Sequence, residues 1–311
     1  MTQIRKVPLS QGVQWLVQAV NIGARNPRAV FGAALLFIAT LYTLALLFVL
    51  PFAAGIRDAA TGAPDPARML TTMVPLFLML VFVLPILLGG LMHVIREAEA
   101  GRPVRARDLF APFRLRKAGP LAMLGVIQIV LAALSILLVV VLAGDDYWTD
   151  YMTAMRTVMS GGTPVMPEPN HPGLMMAVQL LFNYFTYTLL LLCIPLILFS
   201  GTGLVDAVKA SLRASVSNVA ANLLAGGLFM AGTLVAALIV GILGLLAALI
   251  GSLIHPLLGA LLSVVLYAGF GAAILVVLVG GSYLAWRDTF GDEDAPTAKP
   301  VPQASNGHIE A

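Results

Sequence analysis

The sequence predicts an all-α protein, a polytopic transmembrane helical bundle of about six spans with additional amphipathic helices at the membrane surface. Composition is the first observation: 59% of the 311 residues are hydrophobic and 11% are charged, with a mean hydropathy of +0.95. Soluble domains have roughly 45–50% apolar and about 25% charged residues, and they cannot bury so much apolar surface. The second observation is that the apolar residues form long runs, and the third is that most charges lie in the short segments between those runs. The chain is therefore predicted to be an integral membrane protein.

Residues 1–28 precede the first apolar run and are predicted to contain an interfacial helix on the cytoplasmic side. At helical spacing, the polar side chains form one stripe and the apolar side chains form the opposite stripe. The polar stripe comprises Gln11, Gln14, Gln18, Asn21 and Arg25, and the apolar stripe comprises Val13, Leu16 and Val20. Trp15 lies between the two stripes, where an amphipathic ring suits the headgroup layer. The segment ends at Asn26, because the following proline disfavours helical backbone at that position.

Residues 29–286 are predicted to form the six-helix transmembrane domain. Its spans lie near 29–56, 69–95, 119–143, 173–199, 219–250 and 256–284. At about 1.5 Å per residue, each run is long enough to cross a hydrocarbon core of about 30 Å. The apolar sequence from 219 to 284 has one credible turn, at 251–256, so we divide it there into two helices; a third, short or re-entrant helix is the alternative. Residues 287–311 are predicted to be a disordered cytoplasmic tail, since they are acidic and rich in proline.

Three polar segments connect the spans. Residues 96–117 are basic, residues 202–218 form a short amphipathic stretch, and residues 144–172 are acidic and turn-rich. The last of these is predicted to be an exposed loop, with Tyr147, Trp148 and Tyr151 forming an aromatic belt at the membrane surface.

Lys and Arg residues predict the orientation, because positive residues are retained on the cytoplasmic side. With both termini in the cytoplasm, 15 of the 18 Lys and Arg residues lie on that side. The three exceptions are Arg57, Arg68 and Arg156. Arginine outnumbers lysine and the chain is rich in Ala, Gly, Leu and Val, which is typical of a GC-rich bacterial genome. We therefore predict a bacterial inner (plasma) membrane location with cytoplasmic N- and C-termini.

The basic segment at 96–117 supplies the sharpest candidate site. Its candidate lipid contacts are Arg102, Arg105, Arg107, Arg114, Arg116 and Lys117. These cations surround Leu109, Phe110 and Phe113, which could anchor the segment in the membrane surface. Membrane lipids with anionic headgroups are the predicted partners; the alternative is that these charges only determine topology. Nucleic acid is not a predicted partner, because the basic residues flank apolar runs and do not form one face. The sequence does not identify a protein partner.

A few polar residues lie inside the spans, but no ionisable group lies in their central portions. The candidate intramembrane polar contacts are Gln128, Gln179, Asn183 and Asn222. Such side chains can join helices by hydrogen bonds, or they can line a path for a solute. We favour the first role and keep the second as the alternative. The missing carboxylates argue against coupling to protons or sodium by the commonest designs.

No catalytic residue, metal ligand or cofactor is predicted. The chain has no phosphate-binding Gly-x-x-x-x-Gly-Lys loop, no Gly-x-Ser-x-Gly turn and no His-Glu-x-x-His motif. Its single cysteine, Cys193, lies in an apolar run and cannot form an intramolecular disulfide. The protein is therefore not predicted to be an enzyme.

Three short motifs carry a resemblance to known families. They are Gln14-Trp15-Leu16 through Asn26-Pro27, Asp108-Leu109-Phe110-Ala111-Pro112-Phe113, and Asp206-Ala207-Val208-Lys209-Ala210-Ser211-Leu212. Together they resemble bacterial multi-pass inner-membrane families of unknown function. The third motif also looks like part of the membrane domain attached to some glycerophosphodiester phosphodiesterases, although this chain lacks their catalytic barrel. The resemblance implies a location and a fold type, and it implies no activity.

Two functions from different classes fit the sequence. The first is a non-enzymatic membrane protein that binds or organises lipids or partner proteins. The second is a transporter, or a transporter subunit, for an uncharged or lipidic solute. A polar cavity at mid-membrane near Gln128 and Asn183 would favour transport, whereas a solid bundle with amphipathic helices at the inner surface would favour lipid binding.

Overall fold

The computed structural model describes residues 4–57, 66–144, 146–159 and 161–291. These residues form ten α-helices and one 3₁₀ turn, and the described part contains no strand. The helices are α1 (Ser10–Asn21), α2 (Pro27–Arg57), α3 (Pro66–Glu99), α4 (Ala111–Arg114), α5 (Ala118–Ala143), α6 (Tyr147–Met159), α7 (Pro172–Leu198), α8 (Leu204–Ser217), α9 (Val219–Ile254) and α10 (Pro256–Phe290); the 3₁₀ turn is Ala106–Phe110. The all-α class is confirmed.

Six helices are long and apolar enough to cross a membrane: α2, α3, α5, α7, α9 and α10. The run from 219 onward holds two of them, and the boundary lies at His255, within the predicted turn. His255 has extended backbone, its ring nitrogen Nδ1 accepts a hydrogen bond from the Leu257 N–H at 3.1 Å, and Pro256 opens α10. Proline suits this place because the first helical residues need no backbone donor. The protein is an integral membrane protein with several spans.

Several helices continue beyond the predicted spans. Helix α3 runs to Glu99, α9 to Ile254 and α10 to Phe290. The sequence predicts a tail from residue 287, but residues 287–290 belong to α10, so that boundary is wrong. Hydropathy shows where the apolar sequence ends, whereas a helix ends where the backbone leaves the helical conformation. Gly101 and Gly291, which follow α3 and α10, have φ of 70° and 81°, a left-handed conformation that ends a helix. The remainder of the predicted tail, 292–311, lies outside the described residues.

The segment 144–172 is not a simple loop. Residues Tyr147–Met159 form helix α6, which the sequence interpretation missed. The predicted aromatic group lies on its first turns, where Trp148 and Tyr151 stack with ring centroids 5.9 Å apart.

Helix α10 is the central element of the bundle. It packs against α9 along a hairpin and also contacts α2, α3 and α7, while α5 lies outside α3 and α7 and contacts both. Helix α8 runs back along α7, because Ser211 contacts Cys193 and Ser215 contacts Thr188. Helix α1 lies across α9 and α10.

The buried core lies at one end of this bundle. The core residues belong to the first parts of α2 and α5, the last parts of α3, α7 and α10, and the segments that join these parts. We call this end, which carries α1, residues 102–117, α8 and the last turns of α10, the packed end. The opposite end, which carries α6 and the α9–α10 connection, we call the open end. At the open end most large apolar side chains are exposed, for example Leu253 at 80% and Val141 at 70%.

The amino-terminal segment closes the packed end. The indole N–H of Trp15 and the amide of Gln11 both donate to Asp288 Oδ2, at 2.8 and 2.7 Å. Backbone pairing adds to this contact, because the Arg5 N–H donates to the Thr289 carbonyl at 2.8 Å. Trp15 is 2% exposed. An acidic residue of the predicted tail therefore holds the first helix on the last one.

Candidate membrane-surface site

Helix α1 presents three faces, not two. Gly12, Trp15 and Ala19 face the bundle and are buried. Leu9, Val13, Val17 and Val20 form a second face that is apolar and exposed, with Val20 at 64%. The predicted polar stripe is the third face. An apolar face that is left exposed beside a polar face is the pattern of a helix lying in the membrane surface.

The second element is the segment 102–117, which is fixed to α3. Leu109 is fully buried, and its backbone lies so close to Gly90 that a Cβ on this glycine would overlap the Leu109 carbonyl group. Glycine is required there because the backbones of the two elements touch. The predicted anchor Leu109 therefore packs into the protein, whereas Phe113, at 55% exposed, points away from it.

Asp108 organises the polar side of this segment. Its Oδ2 accepts the Arg105 backbone N–H at 2.8 Å, and its Oδ1 is ion-paired with Arg114. Partial burial alone raises the pKa of the Asp108 carboxyl, but the hydrogen bonds from Arg114 and Arg105 and the charge of Arg114 outweigh it. The pKa of Asp108 therefore lies below its ordinary value, and the carboxylate stays charged at neutral pH.

The six predicted cations fall into two groups. Arg102 is ion-paired with Glu97 at 2.6 Å, and Arg114 is paired with Asp108. The side chains of Arg105, Arg107, Arg116 and Lys117 have no ion-pair partner within the described part of the chain. Beside them, Leu115 is 49% exposed. The second group is the one available to a ligand of negative charge.

The third element is α8, which repeats the pattern of α1. Ala207, Ser211, Ala214 and Ser215 are buried against the bundle. Val205, Leu212 and Val216 form an exposed apolar stripe, and Lys209 and Arg213 lie exposed beside that stripe. The sequence marks this stretch as amphipathic, but its two cations are missing from the predicted lipid contacts. Their spacing of four residues next to the apolar stripe is the pattern that identifies them.

These three elements lie at the same end of the bundle. We call α1, residues 102–117 and α8 together the amphipathic platform. Each element has a buried face that fixes it to the spans and an exposed apolar face, and the second and third elements add exposed cations. Cationic groups beside apolar side chains suit the boundary between lipid headgroups and acyl chains.

The predicted intramembrane polar residues do not converge on one site. Gln179 of α7 hydrogen-bonds Ser135 of α5 at 3.1 Å and Asn183 of its own helix at 3.3 Å. Asn222 of α9 donates to the Tyr184 hydroxyl at 3.4 Å. Gln128 lies apart, and its buried amide nitrogen has no hydrogen-bond partner among the described residues. Two of these contacts join different helices, as the favoured role requires.

A cavity of about 470 Å³ lies beside Gln179, at the open end. Ser135 and Gln179 are its polar residues, and its other lining residues are apolar or aromatic, among them Trp148 and Met176. It is therefore not the polar mid-membrane cavity that would favour a transporter, since Gln128 and Asn183 do not line it.

Within the described ranges, no group of three or more His, Cys, Asp or Glu side chains is placed to hold a metal ion. Comparisons with protein-family models, with curated proteins and with solved structures find no match to this chain. The resemblance to bacterial inner-membrane families remains a prediction.

Proposed function

We propose that this membrane protein binds and organises anionic lipids at the cytoplasmic surface of a bacterial inner membrane, without enzymatic activity, through the amphipathic platform. The observation that carries the proposal is the threefold arrangement at the packed end, where α1, residues 102–117 and α8 are fixed to the spans and still expose apolar side chains. A surface element that only connects two spans does not need an exposed apolar face. We place both termini and the platform on the cytoplasmic side, because the sequence-based topology assigns 15 of the 18 Lys and Arg residues to that side.

The test compares two variants with the same change of charge. In the first, Arg105, Arg107 and Arg116 of the platform are replaced by glutamine. In the control, Arg57, Arg68 and Arg156, which the sequence places at the opposite end, are replaced by glutamine. Arg102 and Arg114 are left unchanged, because their charges are already paired with carboxylates of the protein.

Each protein is released from nanodiscs of phosphatidylglycerol and phosphatidylcholine, and the retained lipids are counted by native mass spectrometry. Each cation near an anionic surface contributes about 1 kcal/mol, so the platform variant is expected to lose about 100-fold in its preference for phosphatidylglycerol at low salt. The control is expected to keep the preference of the wild type. Equal losses in the two variants, or a wild type without preference, would overturn the proposal.

A second candidate is the passage of a lipidic solute along α5 and α7: the cavity beside Gln179 lacks the polar lining expected of a path through mid-membrane, but its apolar walls would accept an acyl chain. Its test is the flip rate of a fluorescent phospholipid in proteoliposomes. Replacing Gln179 by leucine would lower that rate if the carboxamide lines a path, while a rate equal to that of protein-free vesicles in the wild type would exclude this candidate.

A further inference from the structure

A second apolar groove lies between α5 and α7 and reaches α8. Its volume is about 260 Å³. Helix α5 contributes Leu131 and Leu138, α7 contributes side chains from Val178 to Leu189, and Leu212 of α8 lies at one end. The hydroxyl of Thr186, which also lines the groove, already donates to the Phe182 carbonyl of its own helix at 2.9 Å. The groove therefore offers no free polar donor, and its chemistry suits a hydrocarbon chain.

The length of the groove suits one leaflet of a bilayer. From Val178 to Leu189, α7 rises about 16 Å at ~1.5 Å per residue. This is close to half of a hydrocarbon core of about 30 Å. Leu181, on the rim, is 58% exposed, so the groove lies at the lipid-facing surface.

Positive charge is concentrated at the α8 end of the groove. Leu212 is followed directly by Arg213 and is preceded by Lys209 at three residues; both cations are exposed and have no ion-pair partner within the described ranges. The ammonium group of Lys117 approaches the α7–α8 connection, 3.9 Å from the position that a Cβ of Gly201 would occupy. Asp206 is the one acidic residue of α8, so the exposed surface of this helix keeps a net positive charge.

We propose that this groove is the site of one tightly held anionic phospholipid, with an acyl chain between α5 and α7 and its phosphate bound by Lys209 and Arg213. The inference rests on the proposed function and assigns to it a particular lipid and particular residues. An arginine guanidinium can donate two parallel hydrogen bonds to a phosphate. The ammonium group of Lys209 would add a second positive charge beside the same phosphate. The occupant is a lipid of the platform's own leaflet, because α8, which carries both cations, contributes Leu212 to one end of the groove.

The groove is tested by filling it. In one variant Leu138, which lines the groove, is replaced by tryptophan; in the matched control the neighbouring Leu137, which is 56% exposed and lines no part of the groove, is replaced by tryptophan. A third variant carries Lys209→Gln with Arg213→Gln. Each protein is purified in detergent with phosphatidylglycerol or phosphatidylcholine added, and the lipids bound per molecule are measured by native mass spectrometry.

The wild type and L137W are expected to retain one phosphatidylglycerol after extensive washing, whereas L138W is expected to lose it. The K209Q/R213Q variant is expected to lose at least tenfold in its preference for phosphatidylglycerol over phosphatidylcholine. Retention by L138W equal to that by L137W would overturn the groove site, as would an unchanged preference in K209Q/R213Q.

Failure of the groove site and failure of the platform have different signatures. The variant of Arg105, Arg107 and Arg116 is expected to keep the single lipid that stays bound after washing, because these residues do not line the groove. Suppose that the wild type retains no lipid after washing, while this variant still loses its preference for phosphatidylglycerol in nanodiscs. The groove inference is then wrong, and the proposed role of the platform stands. If the nanodisc preference is absent from the outset, the proposed function is wrong as well.

Discussion

The two ends of the bundle are built differently from the same six helices. At the packed end, large side chains such as Trp15, Leu91 and Trp286 are at most 2% exposed. At the open end, Leu245, Leu253 and Ile254 are more than two thirds exposed. Both ends are apolar, so composition alone does not distinguish them.

The difference follows from what each end must hold. Apolar side chains gain little by leaving lipid for protein, so helices in a membrane pack closely only where shape, small residues or hydrogen bonds favour it. The packed end has such contacts, including the Trp15–Asp288 hydrogen bond and the close approach of Leu109 to Gly90. The open end also has close contacts, such as the approach of Gly251 to Gly259 in the α9–α10 hairpin, but most of its large apolar side chains stay exposed. The packed end thus forms a firm base for the platform.

The largest expected effect comes from removing the buried tryptophan of α1. Trp15→Ala leaves a cavity and takes one donor from Asp288, so the free energy of unfolding is expected to fall by about 3–5 kcal/mol. The matched change at the open end is Phe77→Ala, at a ring that is 51% exposed. It is expected to have a much smaller effect in an SDS titration of the protein in mixed micelles. Equal losses would contradict the difference between the ends.

The second prediction concerns two glycines. Gly90→Ala forces the added Cβ against the Leu109 carbonyl, so it is expected to destabilise the protein by about 1–3 kcal/mol. Gly241, in the open half of α9, has open space around its Cβ position. There the change to alanine is expected to be neutral or stabilising by up to about 1 kcal/mol, since alanine is the better helix former. Thermal unfolding followed by circular dichroism measures both, and a harmless Gly90→Ala would refute the fixed position of residues 102–117.

The third prediction compares two serines that join helices. Ser215 is fully buried, and its hydroxyl lies 2.9 Å from the Thr188 hydroxyl and 2.8 Å from the Ser211 carbonyl. Ser135 is half-buried beside Gln179. Ser215→Ala is expected to cost about 1 kcal/mol and Ser135→Ala about 0.5 kcal/mol in the same SDS titration. The reverse order would show that the open end depends on its polar contacts more than the packed end does.

The smallest expected effect is a dependence on pH within the platform. The pKa of Asp108 is lowered in the folded protein, so its contribution to stability is present above the unfolded pKa, about 3.9, and is lost as the pH falls through the folded value. Hydrogen exchange of residues 102–117, corrected for intrinsic rates, is therefore expected to be constant from pH 7 to pH 5 and to rise below about pH 4.

Asp108→Asn is expected to produce that faster exchange already at pH 7. The free energy of local opening is expected to fall by no more than an exposed ion pair contributes, about 0.2–1 kcal/mol. Exchange at residues 10–21 of α1 serves as the internal control, because Asp108 makes no hydrogen bond to that helix. A rise in α1 that equals the rise in residues 102–117 would show that low pH loosens the whole packed end.

The spans could be predicted from the sequence because hydropathy reports directly on the apolar runs. The ends of α3 and α10 could not, since Glu99 and Asp288 lie on helices that leave the apolar region and continue. Asp288 looks like part of an acidic tail, and only its tertiary partner Trp15 shows that it belongs to the fold. Helix α6 was hidden by the prolines and acidic residues of its neighbourhood.

The candidate site was predictable in part for a related reason. The sequence identifies the basic residues of 102–117, but it does not show that the charges of Arg102 and Arg114 are paired with the carboxylates of Glu97 and Asp108. The cations of α8 were overlooked because a count of charges favours the more basic segment. Their importance depends on Leu212, which contacts a groove formed by two other helices.

Lipid quenching of a fluorescent label shows directly whether anionic lipid collects at the packed end. The natural cysteine, Cys193, is fully buried, so one introduced cysteine can carry a fluorescent label. The label is placed at Val216 of the platform or at Val141 near the open end, and quenching by brominated phosphatidylglycerol is compared with quenching by brominated phosphatidylcholine in the same vesicles. We expect stronger quenching by phosphatidylglycerol at Val216 and equal quenching by the two lipids at Val141. Equal quenching by the two lipids at both sites would contradict this expectation.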